Sequence, residues 1–300
     1  MIITGKKFSK PSLSRVINGD TTLPEAEKAP EKFRLDHLLV EKHPEYKRAS
    51  LQTFIKSGFV TVDGEIVTKP NSKFLIDAKI VLNVPENPTL PPCPPVIYED
   101  EHVLVIDKPA GLLSMAKGEY CAEPTLENYG LLVHRLDRDT SGVVILAKDP
   151  ETQSMLRRQF QDRKTHKTYY AITLGHPKLD EAMIDLPIAR NLKRPTTFQV
   201  DQNGKPSQTH YKVIAKNDKY SLVELKPTTG RTHQLRVHLK YLDTPILGDP
   251  VYGDEKSAAD RLYLHAKELE ITIPGPDGNL RKVFVSELPP EFNNVMVKAS

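Results

Sequence analysis

Between His134 and Gly142 the chain reads His-Arg-Leu-Asp-Arg-Asp-Thr-Ser-Gly, immediately ahead of the apolar run Val143–Ala147. Nine consecutive residues therefore hold two arginines, two acids, two hydroxyls and a glycine. A loop at the mouth of a buried strand is where a rigid scaffold can present a reactive side chain. Asp137 lies between Arg135 and Arg138, surroundings that suit an anionic carboxylate. Such a group is a candidate for covalent or proton-transfer chemistry. The plainer alternative is a surface turn laced by local salt bridges, which describes most isolated charged loops. Metal and thiol chemistry have less to stand on. Ten histidines are present, but no H-x-x-x-H pair sits among nearby carboxylates, and no metal is expected. Cys93 and Cys121 are 28 positions apart and outside any C-x-x-C pair.

The elements that would position this loop follow from hydrophobic spacing. Strand-like runs recur at 103–106, 143–147, 168–174, 208–215, 220–225 and 269–273. One helix is predicted after Asp149-Pro150, an N-cap followed by proline at the first helical position, with Leu156 and Phe160 on one face. Another follows Gly230, with Leu235, Leu239 and Leu242 aligned. Many strands with few long helices predict an α+β domain on a largely antiparallel sheet. Upstream, Leu35, Leu38 and Leu39 have helical spacing with Pro44 as a stop. A second helix is predicted over 50–57, ended by Gly58, and a hairpin over 59–67 around Asp63-Gly64. Six of the eleven residues from Pro85 to Pro95 are proline, so this stretch reads as an extended spacer. The predicted organisation is a flexible polar tail over 1–30, a small module over 31–84, a linker over 85–95 and the larger domain over 96–290.

Bulk properties narrow the classes. The 300 residues are 38% hydrophobic and 27% charged, as in a soluble globular chain. No apolar run approaches the ~20 residues of a membrane span, and MIITGKKFSK carries no apolar leader. With two cysteines and no disulfide frame, a cytoplasmic location is expected. Net charge is only +3, but residues 1–80 hold 14 Lys/Arg against 10 Asp/Glu, while the rest is nearly balanced. A polyanion would therefore meet its positive surface in the first module, with Arg34, Lys47, Arg48 and Lys56 as candidate contacts. A plain solvated surface is the competing account of those charges.

The 134–142 string resembles the signature of the RluA-type pseudouridine synthases. Three further groups of residues resemble that family in the same order: Val105–Gly111 with its Lys-Pro-Ala-Gly turn, Lys167–Ala171 as K-x-Y-x-A, and Gly230–Leu239 as G-R-T-H-Q-L-R, followed by the turn Gly248–Gly253. The resemblance spans roughly residues 96–275. Residues 33–83 separately resemble the small RNA-binding domain of the ribosomal-protein S-four type. The resemblance implies an isomerase that converts specific uridines to pseudouridine in structured RNA without a cofactor. It implies catalytic roles for Asp137, for Tyr169 packed on the target base, and for Arg236 paired with the aspartate. Arg135 would fill the space left by an extruded base, Leu235 would pack against the uracil, and Arg231, His134 and Lys167 would border the substrate. Adjacent Tyr170 is assigned to the core. One departure stands out: after Lys-Pro-Ala-Gly the chain reads Leu112–Lys117 without the His-Pro step of many members, in a loop expected to face RNA. Large-subunit ribosomal RNA is the expected partner, with transfer RNA as the alternative, and a monomer is expected.

Two other classes compete. A silent RNA-binding factor would need none of Asp137, Tyr169 and Arg236. A glycosidase would need a second carboxylate about 5–10 Å away. Asp139 could supply one, though its place two residues on in a loop fixes no such distance.

Overall fold

A computed structural model describes residues 31–84, 91–116, 123–253 and 259–298. The proposed tail and half of the proline spacer lie outside the described residues. The first module runs β1 (Lys32–Arg34), α1 (Leu35–Lys42), α2 (Arg48–Lys56), β2 (Val60–Val62), β3 (Glu65–Ile66), β4 (Lys73–Leu75) and β5 (Ile80–Leu82). Leu35, Leu39, Leu51, Phe54 and Ile55 are fully buried against Val60 and Val62, a small core built from the two predicted helices and the hairpin. Gly58 ends α2 at φ +79°, a conformation that favours glycine.

The larger unit follows as β6 (Val96–Glu99), β7 (Val103–Lys108), β8 (Leu131–Leu132), β9 (Ser141–Ala147), α3 (Pro150–Gln161), β10 (His166–Leu174), β11 (Glu181–Asp185), β12 (Ile188–Arg190), β13 (Phe198–Val200), β14 (Gln208–Lys216), β15 (Tyr220–Pro227), α4 (Gln234–Tyr241), β16 (Leu264–Ile273), β17 (Leu280–Val285) and α5 (Pro290–Lys298). Its main sheet has the order β11-β14-β15-β10-β16-β9-β7-β6, with β17 beside β16 and β8 beside β9. Every pair in it is antiparallel except β9–β16. The α+β expectation therefore holds. Asp149 caps α3 by accepting the Thr152 amide at 2.8 Å, as its sequence predicts.

That single parallel junction matters for function. Gly142 pairs with Ala266 there, at φ +113°, and a Cβ on it would stand 2.2 Å from the Ala266 carbonyl oxygen. Only glycine lets the two strands meet. Tyr169 pairs with Ala266 from the other side and with Leu225 beyond it. Tyr169 and the entry to β9 thus flank one point of the sheet.

Candidate active site

The loop before β9 is clamped from behind by residues distant in sequence. Lys108 is fully buried and donates to the carbonyls of Pro109 at 2.9 Å, Arg138 at 2.8 Å and Thr140 at 2.8 Å, using all three N–H bonds of an ammonium. Burial pushes its pKa down to about 7, against the opposing pull of Asp139 and Asp137. Ser114 is also buried. Its hydroxyl donates to the Leu136 carbonyl at 2.7 Å and accepts the Leu136 amide at 3.1 Å. Gly111 N–H closes the other side on the Arg138 carbonyl at 2.9 Å. Asp137 is therefore bracketed on both sides by fixed backbone.

The same geometry revises the expectation for Leu112–Lys117. Ser114 points inward as a brace, and Met115 is the exposed side chain, 3.8 Å from an Arg135 guanidinium nitrogen. Lys117 lies outside the described residues.

Arg236 reaches Asp137 from α4. Its Nη1 donates to Asp137 Oδ2 at 3.2 Å, while Nε and Nη2 donate to Asp249 at 2.7 and 2.8 Å. Asp249 has no exposed side-chain surface, and it also accepts the amides of Val251 at 2.9 Å and Tyr252 at 3.0 Å. Burial works to raise the Asp249 pKa, but Arg236 and these two amides outweigh it and the net shift is downward. Burial opposes the charge of Arg236 likewise, and the two carboxylates overcome it, so its pKa is raised. Arg236 is thus a buried cation gripped by one carboxylate and lent to another. The sequence assigned its pairing with Asp137 but not the anchor, because Asp249 resembles an ordinary turn residue.

His233, at the N-terminus of α4, has φ +57°, an uncommon left-handed conformation for a non-glycine residue. Its Nδ1 is 2.9 Å from the Tyr252 hydroxyl, which also accepts the Phe198 amide at 2.9 Å, and its Nε2 lies 3.9 Å from Asp137 Oδ2. Gln234 secures the preceding turn: its side-chain oxygen accepts from Thr229 at 2.7 Å and from the Arg231 amide at 3.0 Å.

His233 and Gln234 line a concave site with Asp137, Tyr169, Leu235, Arg236, Arg135 and Lys167 around it. Arg231 belongs to the same wall, with its Nε on the Pro206 carbonyl at 3.2 Å. Burial and the Asp137 charge both raise the Tyr169 pKa, so the phenol keeps its proton. Tyr169 packs against two hydrophobic clusters, whereas Tyr170 is half-buried with its hydroxyl 3.4 Å from Glu224, which corrects the core assignment of Tyr170. Leu235 is buried in the main core and presents an edge to the site. His134 lies one step back. Its Nε2 accepts the Ile145 amide at 3.2 Å, its ring stacks on Phe160 at 4.5 Å, and burial pushes its pKa down to about 3. It is a neutral brace for the loop.

Among the described residues Asp137 is the only carboxylate lining this site. Asp249 is saturated and enclosed, so it is not available as the second acid that a two-carboxylate glycosidase needs. No group of three or more His, Cys, Asp or Glu side chains suited to a metal occurs among the described residues.

In the first module, Arg34 and Arg48 converge on Asp36, a buried carboxylate bound at 2.9 and 2.8 Å, with Gln52 at 2.7 Å. Burial works to raise the Asp36 pKa, and these three donors hold it well below the usual carboxylate range. Both guanidinium groups remain nearly half exposed, at 43% and 48%, so their pairing leaves surface for another anion. Lys47 at the start of α2 and Lys56 at its end are exposed.

Comparison with known proteins supplies independent findings. Residues 102–241 match the RNA pseudouridylate synthase family, and residues 33–79 match the S4 domain. The chain is 36% identical to a ribosomal large subunit pseudouridine synthase D of Nitrosomonas europaea, over 81% of this chain and 78% of that one. It is 39% identical to a dual-specificity RNA pseudouridine synthase RluA of Vibrio parahaemolyticus, over 66% of this chain and 85% of that one. Among solved structures, human RNA pseudouridylate synthase domain containing 4 superposes with a TM-score of 0.54 at 28% identity, covering 68% of this chain and 92% of that one.

Proposed function

Since this chain belongs to the RNA pseudouridine synthase family, an isomerase family that carries uridine to pseudouridine, we propose that Asp137 is its essential catalytic group and large-subunit ribosomal RNA its substrate. The carrying observation is the solitary Asp137 carboxylate at the rim of the site, held by one Arg236 bond at 3.2 Å. The reaction breaks the bond from uracil N1 to the ribose, turns the base, and forms a bond from C5 to the same sugar carbon. The proton lost from C5 is balanced by one gained at N1, so no oxidant or co-substrate is consumed. A carboxylate serves this sequence by attacking the sugar or base, or by assisting loss of a sugar proton. Arg236 fixes its rotamer with a hydrogen bond to Oδ2. Tyr169 and Leu235 form apolar surfaces against which a planar base can turn, and Tyr169, which keeps its proton, can donate one but is a poor base. Arg135, exposed at the mouth, is placed to enter the space left by a flipped nucleotide.

Ribosomal RNA is favoured by the S4 domain and by the relatives named for the ribosomal large subunit. Transfer RNA is the second reading, favoured by similarity to relatives named dual-specificity. Pseudouridine mapping in cells with and without the gene tests both. Loss of a site in large-subunit ribosomal RNA is expected, and loss confined to transfer RNA overturns the ribosomal assignment. Asp137→Asn should leave no detectable pseudouridine while binding RNA within about tenfold of wild type, a change of ~1.4 kcal/mol or less. Substantial turnover by that variant would exclude the role of Asp137.

A further inference from the structure

Beside the candidate catalytic site lies a second cleft that shares Arg135, Lys167, Tyr169, Thr229, Gly230 and Arg231 with it. Its charged lining residues are Arg135, Arg163, Lys167 and Arg231, and no carboxylate lines it among the described residues. Lys167 stands between the two cavities. Its ammonium lies against Gly230, where an added Cβ would come to 4.0 Å of Nζ. Among the described residues no side chain or carbonyl makes a hydrogen bond or ion pair with it. That contrasts with Lys108, which is fully buried and satisfied by three carbonyls, whereas Lys167 is half-buried. A half-buried ammonium with no protein partner, facing a cleft whose charged lining is all cationic, is open to an anion from outside, and its partial burial lowers its pKa.

We infer that Lys167 and this cleft bind the phosphodiester flanking the target nucleotide and so anchor its ribose while the uracil is detached. The inference rests on the assignment of Asp137 as the residue that meets the target nucleotide. Once the N1 bond breaks, the base must turn without the sugar drifting. A base held only by apolar surfaces cannot supply that restraint, so the fixed point has to lie on the backbone. A phosphodiester is the anion that every flanking position provides. A cation on the shared wall is placed to hold it beside the reacting sugar. Lys167 suits this as a compact charge that recovers, on binding, the counter-charge the folded protein withholds.

The test is a coupling experiment on a stem-loop RNA that the wild-type full chain converts. Neutral methylphosphonates replace the phosphate on the 5′ side of the target, on its 3′ side, or several nucleotides away. Dissociation constants are measured in an Asp137→Asn background, with and without Lys167→Met, so that turnover does not interfere. Lys167→Met or the relevant flanking methylphosphonate alone should each weaken binding about tenfold, and the two together no further. Lys167→Met should also lower the slope of log affinity against log salt by about 0.7–0.9. Lys167→Gln provides a second neutral variant if the methionine variant melts early. Independent, multiplying losses at both flanking phosphates, or no loss at either, would overturn the inference. Pseudouridine formation by Asp137→Asn would instead overturn the catalytic assignment, and the coupling data would stand separately.

Discussion

Asp249→Asn removes the anchor of Arg236 while keeping the size of the side chain. Asparagine retains one oxygen for the guanidinium but turns an NH2 toward the other N–H and cancels the counter-charge. Arg236 has only 5% of its side chain exposed, so water cannot replace what is lost. Breaking a buried pair outright costs about 3–5 kcal/mol. Asp137 remains as a second counter-charge, and one oxygen contact survives, so a loss of about 2–3 kcal/mol is expected. At ~2–4 °C per kcal/mol for a chain of this order of size, the melting point should fall by about 5–10 °C. Catalysis should suffer more than affinity. A guanidinium released from Asp249 is free to close on both oxygens of Asp137 and draw the carboxylate out of the site. Misplacement on the order of 1 Å lowers the chemical step about a hundredfold.

Single-turnover rates with saturating enzyme, RNA dissociation constants and thermal melts between pH 3 and 8 separate these effects. The Asp249 pKa is depressed on folding, so its stabilisation is complete above the unfolded value of about 3.9 and is lost as pH falls through the folded one. The variant lacks that contribution. The stability gap between wild type and Asp249→Asn should therefore be constant from neutral pH to about 5 and narrow below about 4. A single-turnover rate within twofold of wild type, together with a lower melting point, would reduce Asp249 to a folding residue and refute the argument for shared grip.

Arg135→Ala should slow modification of a uridine in folded RNA far more than of one in a flexible single strand, and Arg135→Lys should rescue poorly because an ammonium cannot stack as a plane. Equal losses on matched folded and unstructured RNAs, measured in single turnover, would discard the space-filling role. Deleting residues 1–84 should weaken RNA binding and flatten its salt dependence, while the fragment from Pro85 onward still folds and converts a short stem-loop at high concentration. An unfolded fragment would place the boundary elsewhere, and unchanged affinity and salt slope would mean that Arg34, Lys47, Arg48 and Lys56 do not contact RNA.

The runs at 103–106, 143–147, 168–174, 208–215, 220–225 and 269–273 and the helices after Asp149 and Gly230 were legible because apolar residues recur there at the right periods, and α3 even announced its cap in Asp149-Pro150. The short strands β12 and β13, three residues each, carry too little periodicity to be read, and the sequence pattern also passes over β6, β8, β11, β17 and the C-terminal helix α5. Asp137, Tyr169 and Arg236 were legible through motif resemblance, since composition alone leaves a charged loop, a strand aromatic and a helix cation. What the sequence did not reveal are the supports. Ser114 grips Leu136 across 22 positions, Lys108 grips Thr140 across 32, and Asp249 grips Arg236 from a turn 13 residues on. Local patterns predict such residues as a solvated serine, a surface lysine and a turn aspartate. Only the folded topology brings them behind the loop. Tyr170 shows the converse error: alternation along β10 was read correctly, but the face opposite Tyr169 carries Glu224 rather than core.

The division between supports and reactive group follows from how many donors Arg236 has to spare. Asp249 takes Nε and Nη2, in the side-on geometry that a carboxylate fills with both oxygens. Asp137 is left a single bond from Nη1 to Oδ2, at 3.2 Å the longest of the three. A bidentate grip on Asp137 would fix it more firmly but would occupy both of its oxygens and blunt it toward a sugar or base. One bond sets the rotamer and supplies positive charge, and it leaves Oδ1 uncommitted to Arg236. Lys108 and Ser114 act on backbone atoms, so they restrain Asp137 without competing for its carboxylate at all. Apart from the single Arg236 bond, the loop is thus held through atoms other than the carboxylate oxygens proposed to react.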